Sequence, residues 1–193
     1  YHFKISADLL TDEEIALIGQ MRPGLIQLEI GVQSTNDATI TEIHRTMQLD
    51  RLKAVVRSIQ EKENIHEHLD LIAGLPYEGY ETFARSFDEI YALKPNQLQL
   101  GFLKVLKGSS MSKQAEKYGI VYMDDIPYEV LRTNYVSYKE MRFLKVFEDV
   151  FEHTYNSGKF TCFLEHIIKE YYDEDAYAFY EDLSIWWDSK GLY

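Results

Sequence analysis

The sequence predicts an α/β fold of parallel strands followed by a mainly helical carboxyl-terminal region. Three observations predict it. Short apolar runs alternate with helical periodicity in the order βαβαβαβ over residues 1–110, an order that calls for parallel strands joined by right-handed crossovers. The strands carry apolar side chains at every second position, with polar ones between them. Aromatic residues are concentrated late, with 8 in residues 1–110 and 19 in residues 111–193, so the two regions are built for different packing.

The first strand is expected over Phe3 to Ala7, and a helix over about Thr11 to Met21 with Thr11 as its cap and Glu14 three residues on. Arg22-Pro23-Gly24 breaks the chain before a second strand, Leu25 to Val32. After the helix start Ser34-Thr35-Asn36-Asp37, apolar residues at helical spacing (Ile40, Ile43, Met47, then Leu52, Val55, Val56, Ile59) predict two helices over residues 36–61. His68 to Ala73 reads as the third strand, closed by Gly74-Leu75-Pro76. A helix over Glu81 to Leu93 and a fourth strand over Gln97 to Val105 follow. Gly108 to Lys113 reads as a linker by its small polar residues. Beyond it come two short extended stretches, Ile120 to Tyr122 and Tyr128 to Arg132. Next are two helices separated by Asn156-Ser157-Gly158, and an aromatic-rich helix over residues 176–187. This tail reads as a helical cap, with an aromatic substrate box as the alternative.

Composition narrows the function. Twenty Lys and Arg against 32 Asp and Glu leave a net charge of -12, the wrong sign for a surface that binds by neutralising phosphates. No run reaches the ~18 to 20 apolar residues of a membrane span and no basic-then-apolar leader opens the chain, so a cytoplasmic protein is expected. Cys162 is the single cysteine, which rules out an internal disulfide and any cysteine-rich metal site ligated from within the chain. Tyr1 in place of a starting methionine leads us to expect a trimmed or mature fragment.

Alternation puts Ile26, Leu28, Ile30 and Val32 on one face of the second strand, and Leu69, Leu71 and Ala73 on one face of the third. The opposite face reads His2, Lys4, Ser6; Gln27, Glu29, Gly31, Gln33; His66, His68, Asp70, Ile72; and Gln97, Gln99, Gly101, Leu103. Burying so many polar groups without partners would cost roughly 1 to 3 kcal/mol each, so they meet water or a polar ligand. An open sheet with one solvated face satisfies this pattern. So does a polar barrel lumen holding a large hydrogen-bonding ligand at the carboxyl ends of the strands, and the βα alternation favours the second.

Local motifs for chemistry are sparse. His66-x-His68 with Asp70 has the spacing of metal ligands on one strand face, but no third His or Cys lies at compatible spacing. Cys162 and His166 stand at i, i+4, where a buried structural cysteine in an apolar stripe is the expected reading. Glu29 and Asp70 are a candidate acid/base pair.

Taken together, Glu29-Ile30-Gly31-Val32-Gln33-Ser34, Arg45, Asp70-Leu71-Ile72-Ala73-Gly74-Leu75-Pro76-Tyr77-Glu78 and Leu103 to Gly108 resemble the carboxyl-terminal half of a radical S-adenosylmethionine (SAM) enzyme core. The likeness is to the oxygen-independent coproporphyrinogen oxidase-like and cobalamin-binding branches and covers about residues 1–108. Residues 109–193 resemble an uncharacterised helical domain that follows this core in some cobalamin-binding-type members. The resemblance implies a partial (β/α) barrel of six strands, of which this chain holds the third to sixth. It implies reductive cleavage of SAM to a 5'-deoxyadenosyl radical with the aid of a [4Fe-4S] cluster, with cobalamin as a further cofactor in the same branch.

The resemblance also assigns roles. Glu29 and Ser34 belong to the matching motif and are expected among the cofactor-binding residues. Gln33 and Asp70 fall where the family holds the ribose hydroxyls. Arg45 matches the position that meets the methionyl carboxylate, a task for a guanidinium fork. Ile72, Leu103 and Lys104 match positions that pack and hydrogen-bond adenine, the last through backbone, and Gly74 would turn tightly beside the nucleoside. Ser6 replaces an acidic residue that contacts the SAM amino group. The family's C-x-x-x-C-x-x-C loop and first two strands are absent from this sequence. The expected partners are therefore the missing amino-terminal half and an unknown substrate, and a homodimer could cover the lumen instead. The chain alone is expected to be inactive, and a non-catalytic binding or scaffold module is the alternative.

Overall fold

The computed structural model describes residues 1–193. Four strands, β1 (His2–Ile5), β2 (Gln27–Gln33), β3 (His66–Ala73) and β4 (Gln97–Phe102), form one sheet in chain order, and all three neighbouring pairs are parallel. The crossovers are α1 (Asp12–Ile18), then α2 (Asp37–Glu42) with α3 (Leu49–Gln60), then α4 (Tyr80–Tyr91). Two of them start on side-chain caps. Thr11 and Glu14 close a reciprocal capping box on α1, and the Asn36 side chain accepts from the Ala38 N–H at the head of α2.

The two faces of the sheet divide as alternation requires. Leu28, Ile30, Val32, Leu69, Leu71, Leu98 and Leu100 are buried with Leu52, Val55, Val56, Ile59, Phe83, Phe87 and Ile90 of the covering helices in one continuous core. Glu67 breaks the pattern, for it lies on this apolar face with no exposure. On the other face the register sets Lys4, Glu29, His68 and Gln97 side by side in one row, with Gly31, Asp70 and Gln99 in the next.

The expected first strand is shorter than its sequence pattern. Ala7 to Leu9 form a 3-10 turn, because β1 is an edge paired only with β2 and its last residues have no second ladder to hold them extended. The expected linker is also corrected. Ser110–Lys113 form a short helix, α5, whose first turn is capped by the Ser109 hydroxyl.

The tail continues with an antiparallel pair, β5 (Val121–Tyr122) and β6 (Val130–Arg132), then α6 (Tyr138–Phe151), α7 (Thr161–Tyr171) and α8 (Ala176–Ser189). The core of the sheet region runs on into it without a break. Phe87 of α4 sits edge-on to Phe147, Phe151, Tyr177 and Tyr180 at centroid distances of 5.1 to 5.9 Å. Each such pair adds roughly 0.5 to 1.5 kcal/mol beyond burial. The tail thus acts as a cap. Asn156, in the π-helical turn after α6, donates its Nδ2–H to the Leu98 carbonyl (3.0 Å) and accepts from the Leu98 N–H (3.1 Å). A side-chain amide here satisfies an edge that a neighbouring strand would otherwise pair.

One expectation fails in α7. Cys162 is exposed, as is His166, and the buried stripe is Leu164 with Ile168, while Phe163 faces outward. The helix meets its neighbours along one narrow line. No helix is long and apolar enough to cross a membrane.

Candidate functional site

The site lies where β2 and β3 end. β2 carries a register irregularity between Gly31 and Gln33, and Gln33 has φ of +71°, a backbone conformation that is costly for a side chain with a Cβ. That kink turns the Gln33 amide back onto β3, where its Nε2–H donates to Asp70 Oδ1 at 3.0 Å. The Val32 N–H donates to the same oxygen at 3.0 Å. Asp70 Oδ2 is left to accept from elsewhere. Burial pushes the Asp70 carboxyl up to about 6. The Val32 hydrogen bond opposes the shift, Glu29 adds to it, and the positive charges of Arg45 and Lys4 oppose it.

Arg45 reaches the same point from the turn after α2. Its guanidinium donates to the Gly31 carbonyl at 2.7 Å, and a Cβ on Gly31 would lie 3.3 Å from Nη1 of Arg45 and 3.0 Å from Nε2 of Gln33. Gly31 is thus the floor on which both side chains rest. Arg45, Gln33 and Asp70 are brought together within one short stretch of the polar face.

The other residues singled out by the sequence are placed as follows. Glu29 lies one row nearer the amino end, paired with Lys4 (2.5 Å) and His2 (3.0 Å), and the Lys4 hydrogen bond holds its carboxyl below the usual range. Its pairing leaves it poorly suited to acid/base work. Ile72 and Gly101 face each other across β3 and β4, half-buried. Ser34 is fully buried and turned away from the polar face. It donates to Glu78, which also accepts from Ser86, while the Ser34 Oγ accepts from the Asn36 N–H at 2.9 Å. This network ties the loop after β2 to the loop after β3. Gly74, at φ +88°, packs against the tail, since a Cβ there would lie 2.7 Å from Val130 Cγ1 and 3.1 Å from Met141 Cε.

Leu103 and Lys104 extend β4. The Leu103 N–H donates to the Ala73 carbonyl and its own carbonyl accepts from the Val130 N–H, so the Leu103 backbone is fully used. Lys104 bridges Glu129 as a non-hydrogen-bonded pair, with the ladder bonds made by its neighbours (Val130 to Leu103, Val105 to Tyr128). The N–H and C=O of Lys104 therefore make no hydrogen bond within the chain. They form an adjacent donor and acceptor at a strand end, which sequence patterning alone does not expose.

Metal ligation is a different matter. His66 is exposed, both ring nitrogens of His68 lack partners, and no group of three or more His, Cys, Asp or Glu side chains is arranged to hold an ion. A [4Fe-4S] cluster needs several thiolates and does not fit the residues present.

Comparison with known proteins finds partial similarities. Over 101 residues, 52% of the chain, it is 25% identical to the anaerobic coproporphyrinogen III oxidase 1 of Cereibacter sphaeroides. It is 27% identical over 121 residues to the oxygen-independent coproporphyrinogen-III oxidase-like protein HemZ of Bacillus subtilis, 62% of the chain. Part of the chain is thus similar in sequence to oxygen-independent coproporphyrinogen III oxidases. Its fold matches the radical SAM methyltransferase TsrM of Kitasatospora setae, solved with cobalamin and a [4Fe-4S] cluster, at a TM-score of 0.53 and 14% identity over 66% of this chain and 26% of that one. Residues 116–193 match a family model described as "Protein of unknown function (DUF4080)". The matched part spans less than a quarter of the length of either of these two curated relatives, 22% and 23%.

Proposed function

We propose that residues 1–108 are the carboxyl-terminal half of a SAM-binding radical SAM barrel, that residues 109–193 are a helical domain packed on it, and that the substrate is met in the polar lumen. The convergence of Gln33, Asp70 and Arg45 at the strand ends carries this reading. SAM fits the groups on hand. The ionised Asp70 Oδ2 and the Gln33 Oε1 are acceptors for a vicinal diol, the Arg45 guanidinium suits a carboxylate, and the free N–H and C=O of Lys104 suit the edge of a purine.

Bound SAM would supply the 5'-deoxyadenosyl group, its S–C5' bond breaking on one-electron reduction to release methionine and the radical that abstracts hydrogen, with the electron coming from a reductant that this chain's residues do not hold. The cluster ligands would come from polypeptide that pairs with the outer edge of β1, where Phe3 is half exposed and Tyr1 more so.

The chain's own residues orient the nucleoside. Because burial raises the Asp70 carboxyl to about 6, the diol acceptor is ionised above that pH and protonated below it. Adenosine affinity, measured by titration calorimetry on this chain, should therefore fall as pH drops from 7.5 to 5. Asp70→Asn should weaken binding by roughly 1 to 3 kcal/mol at pH 7.5 and flatten the pH dependence. Unchanged affinity in the variant rejects the ribose role.

A further inference from the structure

The tail touches all three loops that frame the proposed pocket. At the β4 end, Tyr128 to Val130, the stretch that leads into β6, pairs with Leu103 to Val105 and so fixes the Lys104 backbone. At the β3 end, Val130 and Met141 fill the space over Gly74. Beside it the Tyr77 ring lies 5.1 Å from that of Tyr135 and 6.3 Å from that of Tyr118. At the β2 end, Lys117 Nζ pairs with Glu42 Oε1 at 2.6 Å, and the Tyr118 hydroxyl donates its one proton to the same oxygen, with Gln114 Oε1 at 2.7 Å as the competing acceptor.

Glu42 is the last residue of α2, three positions before Arg45. The chain between them is a tight turn, with His44 at φ +57° and the Arg45 N–H on the Ile40 carbonyl at 3.0 Å. A movement of the α2 end is therefore passed directly to the base of the Arg45 side chain.

We propose that Lys117 and Tyr118 of the tail are positioning residues that, through Glu42, hold Arg45 in place to receive the carboxylate of the SAM methionyl group. The inference rests on the SAM-pocket reading above and gives residues 114–136 a role in that pocket as its outer wall. Its mechanism is electrostatic and geometric. A lysine ammonium and a phenol hydroxyl on one carboxylate fix the α2 terminus, and the guanidinium then stays over Gly31 with no need to be ordered by the ligand.

The test uses two probes that differ at the end Arg45 would read. S-adenosylhomocysteine carries the amino-acid carboxylate, and adenosine lacks it. In ligand-observed NMR titrations of the 193-residue chain at pH 7.5, Lys117→Met and Tyr118→Phe should each weaken S-adenosylhomocysteine binding by roughly threefold to fivefold while leaving adenosine within twofold. Lys117→Arg should restore the wild-type value. Equal loss for both probes, or no loss in variants that melt as the wild type does, overturns the positioning role and leaves the pocket reading intact. Failure of either probe to bind the wild-type chain overturns the pocket reading, and this inference with it.

Discussion

Replacing Glu67 by leucine should make the protein more stable at pH 8, and the gain should shrink as the pH is lowered toward 5. Glu67 points from β3 into the apolar core, is wholly buried, and neither carboxyl oxygen has a hydrogen-bond partner. Burial pushes its carboxyl from 4.5 up to about 8, with Gln60 nearby opposing the shift. The folded state therefore holds a proton that the unfolded chain releases. Stability that is fully present below about 4.5 is lost as pH rises, until the folded group has also ionised near 8. A shift of this size corresponds to a loss of up to ~5 kcal/mol across that window. Denaturant unfolding of the wild type and Glu67→Leu at pH 5, 6.5 and 8 measures it. Parallel stability curves for the two proteins would show that Glu67 is not carried neutral in the core.

Gly74→Ala should cost about 2 to 4 kcal/mol, from strain at positive φ together with overpacking. The added methyl would approach Val130 Cγ1 to 2.7 Å, and Val130 and Met141 are both fully packed, so neither can move aside cheaply. For a chain of this length, each kcal/mol lowers the melting temperature by roughly 2 to 4 °C. Thermal unfolding should thus show a drop of several degrees. A melting temperature within a degree of the wild type would mean that the tail does not press on Gly74 as described.

How much of this was legible in the sequence follows the range of the interactions. The buried face of β2 and the helix stripe Leu52, Val55, Val56 and Ile59 were readable, because period-2 and period-3.6 patterns are local. The polar face was readable for the same reason. Motif resemblance pointed to Gln33, Asp70 and Arg45, and their hydrogen bonds then follow from a β2 kink that no periodicity encodes. Ser34 was counted with the cofactor-binding residues, yet it is fully buried and donates to Glu78. Its partner Glu78 stands 44 residues away, on a loop whose return to β2 is a tertiary event. The short linker expected at Gly108 to Lys113 proved helical because Ser109 caps it, a signal that small polar residues share with loops. Cys162 was expected inside since cysteine is usually buried, but the buried positions of α7 are Leu164 and Ile168, and Cys162 falls on its exposed side. The part of the tail that frames the pocket was invisible in the sequence, since the pairing of Val130 with Leu103 links residues with no local pattern in common.

The central claim is that a nucleoside lies across the carboxyl ends of β2, β3 and β4. Backbone and side-chain amide NMR spectra of this chain, recorded during titration with adenosine, test it most directly. The Lys104 backbone N–H and the Gln33 side-chain amide should shift most, followed by Val32 and Gly101, with one common dissociation constant. The contrary result is equally clear. Shifts gathered instead at the cleft of about 730 Å³ between α4 and α7, lined by Asp88, Lys94 and Lys169 among others, would place the nucleoside at the opposite end of the sheet and remove the basis for a SAM pocket.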